Sequence, residues 1–202
     1  MRLEEAKRDR YRRQAKLKGY RSRAAFKLIQ IDDRYNIIAQ GISILDIGCY
    51  PGGWLQVASE RVGPHGSVVG IDTREVIPLG ENTRIYKGDI TDQTFIDTIV
   101  SSCSSMDLVL SDLAPNVSGI WELDHGRQVD LTEKVIRLLP LILKEGGTAL
   151  LKIFEGDLIR TVWDRASGEF SSLKYVKPKA SRAKSSELYL LCRNFLSRKP
   201  TS

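Results

Sequence analysis

Five short aliphatic runs punctuate this chain, at residues 43–47, 67–71, 83–87, 106–111 and 148–153, and segments of helical period separate them at 53–61, 91–101, 124–144 and 156–167. Runs with little polar alternation suit strands covered on both faces, as in a parallel sheet whose crossover helices lie above and below it. The alternation therefore predicts a doubly wound α/β domain. The last two runs, 173–177 and 187–195, are joined only by the polar, basic stretch 178–186, too short for a crossover helix, so they are expected to pair antiparallel. Ahead of the sheet, residues 22–38 place Ala25, Phe26, Ile29, Asp33 and Ile37 at mixed helical spacing, which predicts a helix with an imperfect apolar face. With 202 residues, no internal repeat and no linker, the expectation is one domain spanning 1–202, with a basic helical extension over about residues 1–20.

Several classes drop out. The longest apolar run, 138–143, is too short to span a bilayer, and the arginine-rich start lacks the apolar stretch of a signal peptide; a soluble, cytoplasmic protein is expected. The three cysteines, Cys49, Cys103 and Cys192, are widely spaced and form no C-x-x-C, so neither a disulfide framework nor a bound metal is expected. Two histidines and no G-x-S-x-G leave little for a serine triad. Charge is unevenly spread. Residues 1–27 carry eleven Lys/Arg against three Asp/Glu and residues 174–202 carry eight against one, whereas the middle is net acidic. Basic ends on an acidic body fit a polyanion that touches the termini, although a solvated helix and tail would look the same.

Chemistry concentrates after the predicted strands. The turn Asp46-Ile47-Gly48-Cys49-Tyr50-Pro51-Gly52-Gly53-Trp54 follows the first, and its glycines form G-x-x-P-G-G, neither the G-x-G-x-x-G of a pyrophosphate site nor a P-loop. Asp72 follows the second strand, where a carboxylate can accept both hydroxyls of a ribose. Asp89 follows the third, near where an adenine would lie. An adenosine without phosphates fits, as does a plain tight turn. Asp112 closes the fourth strand and Lys152 interrupts the apolar end of the fifth, both facing the crevice of an open sheet. A buried lysine must be partnered or lose its charge readily; a strand-end lysine can also snorkel to water.

These residues carry a resemblance. Ser22-Arg23-Ala24-Ala25-Phe26-Lys27-Leu28, the Asp46–Trp54 turn, the stretch Ser111-Asp112-Leu113-Ala114-Pro115-Asn116-Val117-Ser118-Gly119, Lys152-Ile153-Phe154-Glu155-Gly156, and Lys177-Pro178-Lys179-Ala180-Ser181-Arg182 through Glu187-Leu188-Tyr189 occur in the order of the FtsJ/RrmJ family of S-adenosylmethionine-dependent RNA 2′-O-ribose methyltransferases. The similarity runs from about Tyr20 to Phe195. It implies a Rossmann-like, seven-stranded, mostly parallel sheet with an antiparallel last strand and helices on both faces. It also implies a catalytic tetrad on Lys27, Asp112, Lys152 and Glu187, and cofactor contacts from Gly52, Trp54, Asp72, Asp89 and Asp112. Cys49-Tyr50 departs from the family, which has smaller residues there.

The resemblance implies transfer of a methyl group from S-adenosylmethionine to a ribose 2′-hydroxyl, releasing S-adenosylhomocysteine. Lys152 is the candidate base, with burial and Lys27 expected to lower its pKa and Asp112 pulling the other way. The implied partner is ribosomal RNA of the large subunit, with a uridine of the A-loop as target. A transfer RNA anticodon loop is the alternative. Phosphates are expected to meet Arg8, Arg10, Arg12, Arg13, Lys16 and Lys18 at one end and Lys177, Lys179, Arg182 and Lys184 at the other. A non-catalytic RNA-binding protein on the same fold and a nicotinamide dehydrogenase are the other classes; the tetrad types speak against the first and the glycine spacing against the second.

Overall fold

A computed structural model describes residues 10–182 and 185–196. Arg8 and Lys184, and the first nine positions of the basic extension, lie outside the described residues. In chain order the elements are α1 (Arg10–Leu17), α2 (Ala25–Tyr35), β1 (Ser43–Ile47), α3 (Gly53–Val62), β2 (Ser67–Asp72), β3 (Thr83–Lys87), α4 (Gln93–Ser102), β4 (Met106–Ser111), α5 (Trp121–Ile142), β5 (Leu143–Phe154), α6 (Ile159–Ser167), β6 (Phe170–Val176) and β7 (Glu187–Phe195). The sheet has seven strands in the order β3-β2-β1-β4-β5-β7-β6. β1 to β5 are parallel, and β7 runs antiparallel to both of its neighbours.

Both faces are covered, as the aliphatic runs require. Leu45 and Ile47 of β1 face a core shared with α4, α5 and α6, whereas Ile44 faces the other side with Leu28 of α2 and Leu55 of α3. The strand order reverses between β1 and β4, so the loops leaving their carboxyl ends diverge and open a crevice there. Among the described residues no helix is long and apolar enough to cross a membrane.

Several boundaries shift from the sequence expectation, each for a local reason. α2 stops at Tyr35 because Asn36 turns left-handed (φ 48°) and Asp32 Oδ1 accepts the N–H groups of Ile37 and Ile38, each at 2.8 Å. α5 begins three residues before Asp124, whose carboxylate accepts from Ser118 N (2.7 Å), Ser118 Oγ (2.8 Å) and Gly119 N (3.0 Å), tying down the turn that leads into the helix. β5 starts at Leu143, five residues early, because Met106 pairs with Leu143 before an irregularity restores the Leu108–Thr148 register.

The described parts of the two basic ends meet in space. α1 seats Ala15 against Phe26 of α2, and Ala180 from the β6–β7 loop joins the same small cluster. Arg23 donates to the Ala180 carbonyl, and Ala180 N donates to Gln30 Oε1 at 2.9 Å. Arg10, Arg12, Arg13, Lys16 and Lys18 are thereby exposed beside the loop that carries the exposed Lys177, Lys179 and Arg182.

Candidate active site

At the carboxyl ends of the central strands lies a cleft of about 720 Å³, lined by Gly48, Tyr50, Asp72, Asp89 and Asp112 among others. The backbone holds its floor: Gly48 N donates to Ile71 O (2.8 Å) and Asp112 N to Ile47 O (3.2 Å), locking three strand ends together. Asp72 is buried and already accepts from Tyr50 N and Arg74 N, both at 2.9 Å. Asp89 is exposed, its Oδ1 taking the N–H of Thr91 at 2.8 Å.

The turn between β1 and α3 approaches its neighbours closely. Gly52 takes φ +106°, a left-handed conformation that favours glycine, and the Arg21 side chain packs over it, 2.7 Å from where a Cβ would sit. Cys49 and Tyr50 are accommodated on opposite sides. Cys49 is buried with its sulfur against Gly70, where a Cβ would come within 2.8 Å of it. Tyr50 stays at the cleft mouth, with the Arg74 guanidinium 3.9 Å from its ring centroid. The structure does not bring the Trp54 side chain into the cleft. The indole is buried, its Nε1 donates to Ala24 O (2.8 Å), and its ring packs on Tyr189 at 5.4 Å. Any cofactor contact from Trp54, and from the buried Gly52, is left to the main chain.

The four residues of the expected tetrad come together beside the cleft. Lys27 Nζ lies 2.5 Å from Glu187 Oε1, and Lys152 Nζ lies 3.3 Å from Asp112 Oδ1 and 3.4 Å from Glu187 Oε2. Asp112 belongs to both the cluster and the cleft. Strand register explains the meeting: Lys152 and Tyr189 are cross-strand partners, as are Phe154 and Glu187, so Lys152, Tyr189 and Glu187 share one face. Lys27 reaches them from α2. The Lys152 carbonyl is pinned from behind by Gln128 Nε2 (3.0 Å) and Thr132 Oγ1 (3.1 Å) of α5.

Two supporting residues escaped the sequence reading as actors. The Tyr189 hydroxyl donates to Asp112 Oδ1 (2.8 Å) and lies 3.4 Å from Glu187 Oε1. Ser181 Oγ donates to Glu187 Oε1 at 3.0 Å. The spacing of Glu187 and Tyr189, two apart on a strand, was the available signal for the first.

Electrostatics correct one expectation. Burial alone would lower the Lys152 pKa, but Asp112 and Glu187 outweigh it, and the value stands above that of an ordinary lysine. In the free protein Lys152 is therefore an ammonium. Glu187 is held at about 2: burial opposes its charge, and Lys27 and Lys152 together overcome that. Asp46 behaves oppositely. Burial, then the charges of Asp112 and Asp72, push its carboxyl well above the usual range, and neither oxygen has a partner.

A sulfonium nucleoside asks for carboxylates toward its ribose and its positive centre, a backbone turn that lets it lie close, and space for one nucleoside with an amino acid tail. Asp72 and Asp89 along one wall, Asp112 at the inner end, the Gly48 turn and the cleft volume satisfy those needs, and the volume falls within the usual range for small-ligand sites. The class so defined is an S-adenosylmethionine-dependent methyltransferase of Rossmann-like fold. The FtsJ-like methyltransferase family matches residues 20–195, and the chain belongs to that family. It is 43% identical over 94% of its length to ribosomal RNA large subunit methyltransferase E of Methanothrix thermoacetophila, covering 73% of that protein. It is 40% identical over 96% of its length to the enzyme of the same name from Cenarchaeum symbiosum, covering 99% of it. A crystal structure of a putative ribosomal RNA methyltransferase from Plasmodium falciparum superposes with a TM-score of 0.78 at 33% identity, covering 89% of this chain and all of that one.

Proposed function

We propose that this enzyme methylates a ribose 2′-hydroxyl of large-subunit ribosomal RNA, at a uridine of the A-loop, in the cytoplasm. The observation that carries the reading is the cluster of Lys27, Asp112, Lys152 and Glu187 at the inner end of a nucleoside-sized cleft. The names of the relatives support the ribosomal target, and the convergent basic surface of α1 and the β6–β7 loop supports a nucleic-acid partner.

The cofactor supplies an electrophilic methyl group on a sulfonium and departs as neutral S-adenosylhomocysteine, so its leaving group needs no acid. The protein supplies alignment and a place for the hydroxyl proton. Lys27 holds Glu187 Oε1 and leaves Oε2 for Lys152, which fixes the Lys152 amine between two carboxylates. Asp112 and Asp72 would hold the cofactor, and a cation bound beside Asp112 would draw on that carboxylate and repel the Lys152 ammonium, so that Lys152 would release its proton to solvent more readily. The neutral Lys152 amine would then accept the 2′-hydroxyl proton during methyl transfer.

The test pairs a substrate map with a pH profile. Labelled methyl is expected in large-subunit RNA and not in transfer RNA, at a ribose. Because kcat/KM reports the free enzyme, it should climb with pH between about 7 and 10 as the raised Lys152 pKa dictates. Lys152→Arg should lose roughly a hundredfold or more in turnover, since arginine does not deprotonate in this range. Label in transfer RNA alone would overturn the target, and a flat profile with an active Lys152→Arg enzyme would overturn the base.

A further inference from the structure

Outside the cleft lining, the first residue of α5 is an exposed tryptophan that no part of the methyl transfer uses. Trp121 keeps 43% of its surface open to solvent. Its ring is nonetheless braced: His125, one turn along the helix, stacks on it at 5.4 Å between centroids and 17° between planes, and Phe154 at 6.1 Å and 26°. The support is itself built in. His125 is buried, and its imidazole occupies the space over Gly156 that any Cβ at that position would fill.

The location is tied to the tetrad by covalent geometry. Phe154 ends β5, opposite Glu187, and lies two residues, about 7 Å along a strand, beyond Lys152. The Trp121 ring, 6.1 Å from that of Phe154, therefore packs on the residue two positions beyond Lys152 on the same strand. The strand end beneath it borders the basic surface: Lys177 pairs with Glu155, the residue after Phe154. An exposed ring alone would fit a protein as well as a nucleic acid. A braced aromatic ring packed on the strand that carries Lys152, with Lys177 paired to the next residue beyond that strand end, fits unpaired RNA.

We infer that Trp121, braced by His125 and Phe154, is a stacking platform for the base of a nucleotide next to the methylated one, and so a positioning residue for RNA. This rests on the RNA reading above. Because the ring is already ordered, stacking costs little side-chain freedom, and every base offers a face to it.

The experiment uses the full chain with S-adenosylmethionine, in vitro transcribed large-subunit RNA, and short unpaired and duplex RNA oligonucleotides. Trp121→Ala should raise KM for the transcript about five- to hundredfold, the worth of one base–aromatic stack, with kcat within about twofold and the thermal shift given by S-adenosylhomocysteine unchanged. Trp121→Phe should recover most of the loss. Tryptophan emission should be quenched by the unpaired oligonucleotide more than by the duplex, and Trp121→Phe should lose that quench. An unchanged KM, an equal defect in both variants, or a quench that survives in Trp121→Phe would overturn the platform. So would a defect seen only on assembled subunits, which would assign the ring to a ribosomal protein. If the native enzyme methylates no RNA, the function proposed above fails, while the quench still reads the platform independently.

Discussion

Glu187→Gln isolates the charge that holds the cluster together. Glu187 is buried and its carboxylate faces two ammonium groups, Lys27 at 2.5 Å and Lys152 at 3.4 Å. Its pKa falls from the usual 4.5 to about 2. At about 1.4 kcal/mol per unit, that shift corresponds to about 3 kcal/mol of folding stability at neutral pH. Glutamine keeps the shape and can still accept from Ser181, but leaves Lys27 and Lys152 short of one negative charge, so the variant should lose about 2–4 kcal/mol at pH 7. For a chain of this size the melting temperature would fall by about 5–15 °C. The sign with pH follows from a folded pKa below the unfolded one: the stabilisation is complete above about 4.5 and disappears as pH falls toward 2. Denaturant unfolding of both proteins should therefore show a gap that narrows to about half by pH 3. A gap under about 0.5 kcal/mol at pH 7, or one that stays constant from pH 7 to 3, would refute the charge balance.

Tyr189→Phe retains the ring that packs on Trp54 and removes the bond to Asp112, so about 1 kcal/mol of stability should go; with Asp112 less firmly placed, kcat should fall while KM for RNA holds, and unchanged turnover would exclude a positioning role. Gly52→Ala forces a side chain into a left-handed turn against Arg21 and should cost about 1–3 kcal/mol, together with most of the thermal shift given by S-adenosylhomocysteine; an unaltered shift would show that the turn does not shape the cofactor site. Affinity for RNA should fall by about 0.7 log units per phosphate contact per decade of salt, so removing Lys177 and Lys179 together should flatten the slope by about 1.4; an unchanged slope would place the phosphates elsewhere.

Sheet and layers were legible because they depend on local pattern. The runs at 43–47 and 106–111 recur as β1 and β4 with the expected bounds, since a strand buried on both faces leaves an unbroken aliphatic trace. The site was legible in kind but not by physics alone. Asp112 and Lys152 stand at strand ends where an α/β sheet gathers its ligands, whereas Lys27 and Glu187 drew attention only through the family resemblance, being 160 residues apart and ordinary in their local setting. Trp54 shows the reverse: its place in the motif suggested a cofactor contact, and packing on Tyr189 takes its ring into the core.

By itself, then, the amino-acid order determined which segments become strands and helices, that the final pair runs antiparallel, and which residue types could perform the chemistry, because periodicity and turn residues act over a few positions. Tertiary structure alone decided the upward shift of the Lys152 pKa, the pairing of Lys27 with Glu187, the upward shift of the Asp46 pKa and the bracing of Trp121. Each of these depends on distances of a few ångströms between segments far apart in the chain. Coulombic interaction and desolvation are set by those distances.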